Sequence, residues 1–230
     1  SLDIVNGGDI CKELPKEEFT HIFHLAAKKS VWEGELKPEE FIKTNCWGTC
    51  NLMRSYPDAR ILNVSSSSVN DIKSIYGATK HFAEIMGTFH KNWLNVRLYN
   101  VFGEGQPVES KAIVPSLIEA KLKGENPIIY GDGTQERDFT YVGDVVPGLV
   151  SLMFDLDMTG LFHVGYGVPM SVNQLAKEFF GEDVKPTYLP ARPFEINRSV
   201  CPNLWVGRTY GRKEGLRRTM EWYENAYSKA

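Results

Sequence analysis

Arg60-Ile-Leu-Asn-Val64, Ser65-Ser-Ser-Ser68 and Tyr76-Gly-Ala-Thr-Lys80 stand close together in the chain, and their reading decides the fold. Arg60–Val64 is a short, nearly continuous apolar run, the pattern of a strand covered on both faces. The serine run follows at the carboxyl end of that strand. Ile75–Asn92 then reads as a helix, with Tyr76 and Lys80 on one face because residues four apart are helical neighbours. In open α/β sheets, ligands bind at the carboxyl ends of the strands. A hydroxyl there, followed by a phenol and an ammonium on the next helix, makes a proton-relay constellation. The ammonium favours the phenolate, so Tyr76 is expected to accept a proton near neutral pH.

Outward from this centre, short apolar runs alternate with helical patterns. His21–Ala26, Leu94–Tyr99, Pro127–Tyr130 and Leu161–Gly165 read as further strands. Pro38–Tyr56, Ile113–Lys123, Val145–Phe154, Val172–Phe180 and about Gly215–Tyr227 read as further helices. Ser171 and Gln174 have capping-box spacing at the start of the Val172 helix. Alternation of this kind predicts βαβ units and a parallel sheet. Past about Gly103 prolines and glycines become frequent. A boundary is expected there, with residues 1–103 in the sheet-forming part and 104–230 mainly in a smaller, loop-rich part that returns some segments to the sheet.

The composition is that of a globular chain: 230 residues, 42% apolar and 24% charged. A net charge of -3 and a pI near 6.0 give no basic face for nucleic acid. No stretch approaches the roughly 20 apolar residues of a membrane helix, and no signal segment opens the chain. Cys11, Cys46, Cys50 and Cys201 form no CxxC pair, which fits a reducing cytoplasm. The histidines have no metal spacing, so no metal is expected.

Other constellations are less specific. His24-Leu-Ala-Ala-Lys28 puts small residues at a strand end, where a flat ligand could lie close to the backbone; taken alone, tight helix–strand packing is the preferred reading. In Tyr130-Gly-Asp-Gly-Thr-Gln-Glu-Arg137, Asp-Gly reads as a hairpin turn, and the guanidinium of Arg137 suits a phosphate or diphosphate. Asp144 reads as a helix N-cap. Gly165-Tyr-Gly167-Val-Pro-Met170 imitates a dinucleotide fingerprint. Met170 stands where close packing needs Gly or Ala, so the segment is a strand–helix turn.

Together these segments resemble the extended short-chain dehydrogenase/reductases, in particular the nucleotide-sugar epimerases and dehydratases typified by UDP-glucose 4-epimerase. The resemblance runs from about Asp3 to Tyr223. It rests on GDI (Gly8–Ile10), HLAA (His24–Ala27), NCWGTCNLM (Asn45–Met53), SSSSV, YGATK, RLYNVFGEGQ (Arg97–Gln106), YGDGTQERDFTYVGDVV, VGYGVPMSVNQLA, ARP (Ala191–Pro193) and GLRRTMEWY. It implies a doubly wound Rossmann-type sheet, NAD as cofactor, a UDP-sugar as substrate and a homodimer formed through Pro38–Tyr56 and Ile75–Asn92. Tyr76 would be the catalytic base, Lys80 would hold the nicotinamide ribose and Ser66 the sugar O4. Asp9 and Ile10 match the adenine-binding pair. Leu25, Ala26, Ala27 and Lys28 would line the cofactor groove, with Asn45 and Tyr99 near it. Asn100, Val114, Arg137, Arg192 and Glu195 match substrate-binding positions.

The implied reaction is a transient oxidation at C4 followed by return of the hydride. Dehydratases of the family carry an acid pair after the serine, whereas Ser67 and Ser68 cannot supply a carboxylic acid. A 4-epimerase is therefore expected ahead of a dehydratase, with reductase and decarboxylase chemistry still open. Three departures stand out. No glycine-rich strand–turn–helix precedes Asp9, so the sequence as written is expected to bind NAD poorly and not to turn over. Only Val69–Ile75 separate the serine run from Tyr76. Ser199-Val-Cys-Pro-Asn203 replaces the usual Ala-Asp pair. The alternative is a non-catalytic remnant that keeps the nucleotide-sugar pocket or dimerises.

Overall fold

The computed structural model describes residue 3, residues 6–202 and residues 209–228; Asn203 lies outside them. His21–His24 form β1, Arg60–Ser66 β2 and Trp93–Leu98 β3. β1 pairs directly and in parallel with β2, His21 opposite Arg60, and β2 pairs in parallel with β3, Ile61 opposite Trp93. Ile61, Leu62, Leu94 and Val96 are buried, as continuous apolar runs in a covered sheet should be. β2 runs two residues further than its apolar pattern, so Ser65 and Ser66 belong to the strand itself.

The first crossover holds a helix that periodicity does not reveal. α1 (Val31–Leu36) spans six residues and is capped by Ser30, whose hydroxyl accepts from the Glu33 amide. α2 (Pro38–Phe41), a π-helical turn over Ile42–Trp47 and α3 (Gly48–Ser55) form the expected helix as one continuous rod. α4 (Ile75–Gly87) follows β2 and ends five residues before the expected Asn92. Gly87 lies against the Trp93 indole, where a Cβ would sit 2.1 Å from the ring.

The remaining elements are α5 (Ile113–Leu122), β4 (Ile128–Tyr130), β5 (Glu136–Arg137), α6 (Val142–Phe154), β6 (Gly160–Val164), β7 (Met170–Ser171), α7 (Val172–Phe180), β8 (Thr187–Leu189), β9 (Arg198–Ser199) and α8 (Gly211–Tyr227). The chain divides into a first unit of residues 1–98 and 149–163 and a second of 99–148 and 164–230. The main sheet has the order β1-β2-β3-β6. In the first unit Ile10, Leu14, Leu52, Tyr56, Ala59, Ile61 and Trp93 form one apolar cluster. In the second, Leu117, Ile118, Ile129, Phe139 and Leu175 are fully buried. The capping box at Ser171 and Gln174 is present.

Two expectations need correction. Asp132-Gly133 is not a hairpin turn, because β4 pairs with β8 while β5 pairs with β7 and β9. The Asp132 carboxylate closes its own turn on the Thr134 amide, which directs the chain from one small sheet to the next. Asp144 is not the N-cap of α6, which begins at Val142; its carboxylate accepts from the amides of Thr209, Tyr210 and Gly211 at the start of α8.

Candidate functional site

Ser66 ends β2, and its hydroxyl accepts from the Ser68 amide at 3.2 Å, opening a 3-10 turn over Ser67–Val69. The start of α4 is tied down by two groups: Ser74 Oγ accepts from Gly77 N at 3.1 Å and Glu35 Oε1 from Ile75 N at 2.7 Å. A Cβ on Gly77 would stand 2.9 Å from the Ser68 carbonyl oxygen. Glycine thus lets the helix approach the serine turn closely, which brings the Tyr76 phenol to the Ser66 hydroxyl.

Lys80 is buried and donates to the Val64 carbonyl at 2.6 Å. Burial pushes its ammonium down to about 8, with Glu84 opposing the shift. The phenol departs from the sequence expectation. Burial raises the Tyr76 pKa, and only the Ser66 hydrogen bond pulls it back. Helical adjacency to Lys80 does not by itself make a phenolate, because the ammonium is held at the strand.

Beneath these groups, Asn45 organises the loop after β1. It is buried within the π-helical turn, a distortion frequent at functional sites. Its Oδ1 accepts from Lys28 N at 2.8 Å, and its Nδ2 donates to Lys28 O and Thr79 Oγ1, both at 3.0 Å. The pinned loop leaves Leu25 and Ala26 exposed and Ala27 half-buried. Lys28 Nζ itself pairs with Glu40 at 2.5 Å. Asp9 Oδ1 accepts from Cys11 N at 2.9 Å, which holds its carboxyl below the usual range. Ile10 is buried and packs where a Cβ on Gly48 would meet it at 2.6 Å. An ammonium carries three N–H donors, and only the bond to Val64 occupies Lys80 among the described residues. The spare donors, the small exposed strand end and the Ser66–Tyr76 pair fit a ribose-bearing nicotinamide cofactor.

The second unit gathers the other expected residues in part. Arg137 pairs with Glu195 at 3.2 Å, and Gln135 Nε2 donates to the same carboxylate oxygen at 3.3 Å. Burial lowers the Arg137 pKa, with Glu195 opposing it. Arg192 is exposed and stacks over the Tyr130 ring at 4.0 Å. Asn100 stands apart from this group. It has a φ of 37°, a strained region for a non-glycine residue, and its Nδ2 is buried without a partner among the described residues. Val114 is buried in the first turn of α5, and Tyr99 is fully buried.

Arg192→Ala is expected to shift the melting temperature by under about 2 °C, because the side chain is exposed. Thermal melts check this, and a large stability loss would assign Arg192 to the fold.

Sequence reading overlooked Glu35, Glu84 and Arg97. Glu84 carried a usable signal, lying four residues after Lys80 on the same helical face.

The chain is similar to several known proteins. The UDP-glucuronate 4-epimerase of Thermodesulfobacterium geofontis is 28% identical over 96% of this chain and 77% of its own length. UDP-glucuronic acid decarboxylase 6 of Arabidopsis thaliana is 30% identical over 74% of this chain, and the alignment spans 56% of that protein. The solved structure of MoeE5 in complex with UDP-glucose and NAD matches with a TM-score of 0.83 and 29% identity, covering 96% of this chain and 85% of MoeE5. The profile of the NAD dependent epimerase/dehydratase family matches residues 1–160, a span that takes in the Asn45 clamp, Ser66, Tyr76 and Lys80. The chain is a member of the NAD-dependent epimerase/dehydratase family.

Proposed function

We propose that the protein interconverts C4 epimers of a UDP-sugar with NAD as its cofactor. The observation that carries the reading is the placement of the Tyr76 phenol beside the Ser66 hydroxyl at the carboxyl end of β2, followed by hydroxyls at Ser67 and Ser68. The phenol accepts a proton once its own is shed, and positions 67 and 68 offer no acid to expel water.

Ser66 holds the sugar O4 and sets its proton toward the Tyr76 oxygen. Tyr76 takes that proton as C4 becomes a carbonyl and returns it when the alcohol re-forms. Lys80 offers its spare N–H donors to the cofactor ribose, and Asn45 keeps the loop from Leu25 to Lys28 in place beneath it. Arg137, Arg192 and Asn100 supply donors to the diphosphate and Glu195 an acceptor for ribose hydroxyls. Bound NAD supplies a hydride acceptor and a positively charged ring.

Incubation with NAD and UDP-glucose, resolved by chromatography, tests the reading. UDP-galactose is the expected product, against the expectation that the sequence as written does not turn over; UDP-glucuronate run in parallel should give its C4 epimer. Loss of water, loss of carbon dioxide or no conversion would overturn the reading.

The same reading includes a dimer of this chain through α3 and α4. Trp47 in the π-helical turn before α3, Ile85 on α4 and Phe89 just past the end of α4 are exposed. A groove of about 390 Å³ lies beside them, lined by Met53, Pro57, Met86 and Phe89 among others. A second copy would cover this apolar surface. Light scattering at micromolar concentration should give twice the chain mass, and a monomer would count against it.

A further inference from the structure

Glu84 lies one helical turn beyond Lys80 and two beyond Tyr76 on the same face of α4, and it is 7% exposed. Its carboxylate accepts from Ser65 Oγ at 2.5 Å. Arg97 grips it with a fork, Nε at 2.8 Å and a terminal nitrogen at 2.6 Å. The other terminal nitrogen of Arg97 donates to Asn70 Oδ1 at 2.7 Å, just past the 3-10 turn. One buried carboxylate therefore joins the strand end bearing Ser66, the neighbouring strand β3 and the helix bearing Tyr76.

The charges around Lys80 come from few places. Tyr76 and Glu84 share its helix, and His24 faces it from β1. His24 Nε2 lies 3.0 Å from Thr49 Oγ1, and burial together with Lys80 pushes this imidazole down to about 3, so it stays neutral. Glu84 is in turn faced by Arg97 from β3, by His81 on its own helix at 3.8 Å and by His163 from β6. Glu84 is thus the negative charge that opposes the desolvation of Lys80.

We propose that Glu84 is a positioning residue for the Tyr76–Lys80 pair: its buried carboxylate keeps Lys80 charged and locks the Ser66 strand end against the Tyr76 helix. The catalytic consequence rests on the epimerase reading; the charge effect on Lys80 does not.

The test is NMR titration of the protein carrying 13Cε-lysine, with the Lys80 resonance assigned by its loss in Lys80→Met. Neither sugar nor cofactor is needed. Glu84→Gln should lower the Lys80 midpoint by about one pH unit or more, and Glu84→Asp, which keeps the charge, should restore most of it. In turnover above about pH 9, Glu84→Gln should lower kcat about tenfold, the equivalent of one pKa unit, with KM for UDP-glucose within about twofold. The pH at which its kcat profile stops rising should move lower, because Lys80 then loses its proton sooner.

An unmoved Lys80 midpoint in folded Glu84→Gln overturns the proposal. Should that variant fail to fold, Arg97→Gln carries the test: it frees Glu84 from its counter-charge, so the Lys80 midpoint should rise, and a fall or no change overturns the proposal. A shifted midpoint in a protein whose parent turns over no sugar sinks the epimerase reading and leaves the charge effect standing.

Discussion

Tyr76→Phe should lower kcat for UDP-sugar conversion by about 10²–10⁴-fold, the range of a general acid–base group. The fold should survive, because losing the contact of the phenol with the Ser66 hydroxyl costs about 1 kcal/mol at most. The pH profile sharpens the test. Burial raises the phenol above its ordinary value, so the rate should climb with pH as the proton is shed. Lys80 sits near 8, so above that value the loss of its charge cancels the gain in phenolate and the rate should level off there. The residual activity of Tyr76→Phe should lack the rising limb. A variant with parental rates across the profile would show that another group takes the proton.

Arg60→Ala is the second large effect, and it falls on stability. Arg60 opens β2 at 8% exposure and spends its guanidinium on backbone carbonyls at the end of α6. Nε donates to Met153 O at 2.8 Å, and one terminal nitrogen to Leu152 O, Asp155 O and Met158 O at 3.2, 2.6 and 2.8 Å. Helix C-termini leave carbonyls without intrahelical partners, and a cation there also favours the helix dipole. Truncation strands these acceptors in a buried place. We expect a loss of about 3–5 kcal/mol, which for a chain of this size lowers the melting temperature by about 10 °C. Arg60→Lys should recover little, since a point charge cannot reproduce the fork. Thermal melts of both variants check this; a shift under about 2 °C for Arg60→Ala would rule the role out.

The strands and the Ser66–Tyr76–Lys80 relation were legible because their signals are local: an apolar run, a hydroxyl at its end and a four-residue helical spacing. Arg60 was read only as the polar start of a strand, since its partners lie more than ninety residues onward. The direction of the Tyr76 shift escaped for a similar reason, because burial is set by elements packed over the helix and not by the helix itself. β5, β7 and β9 have two residues each, too few for any period to show. Asp132-Gly133 announced a turn correctly, yet turn chemistry does not choose which strand the chain pairs with next.

The close approach at Gly77 bears on how this protein can be engineered. A glycine inside a helix lowers stability by about 1 kcal/mol relative to alanine, and alanine there is the first substitution a thermostability programme would try. Here the gain in helix propensity would be set against a methyl group 2.9 Å from the Ser68 carbonyl oxygen. The backbone must yield, and what yields is the spacing between the helix and the hydroxyl that Tyr76 meets. Selection for heat tolerance alone would favour alanine at this position, and selection for turnover would keep returning glycine.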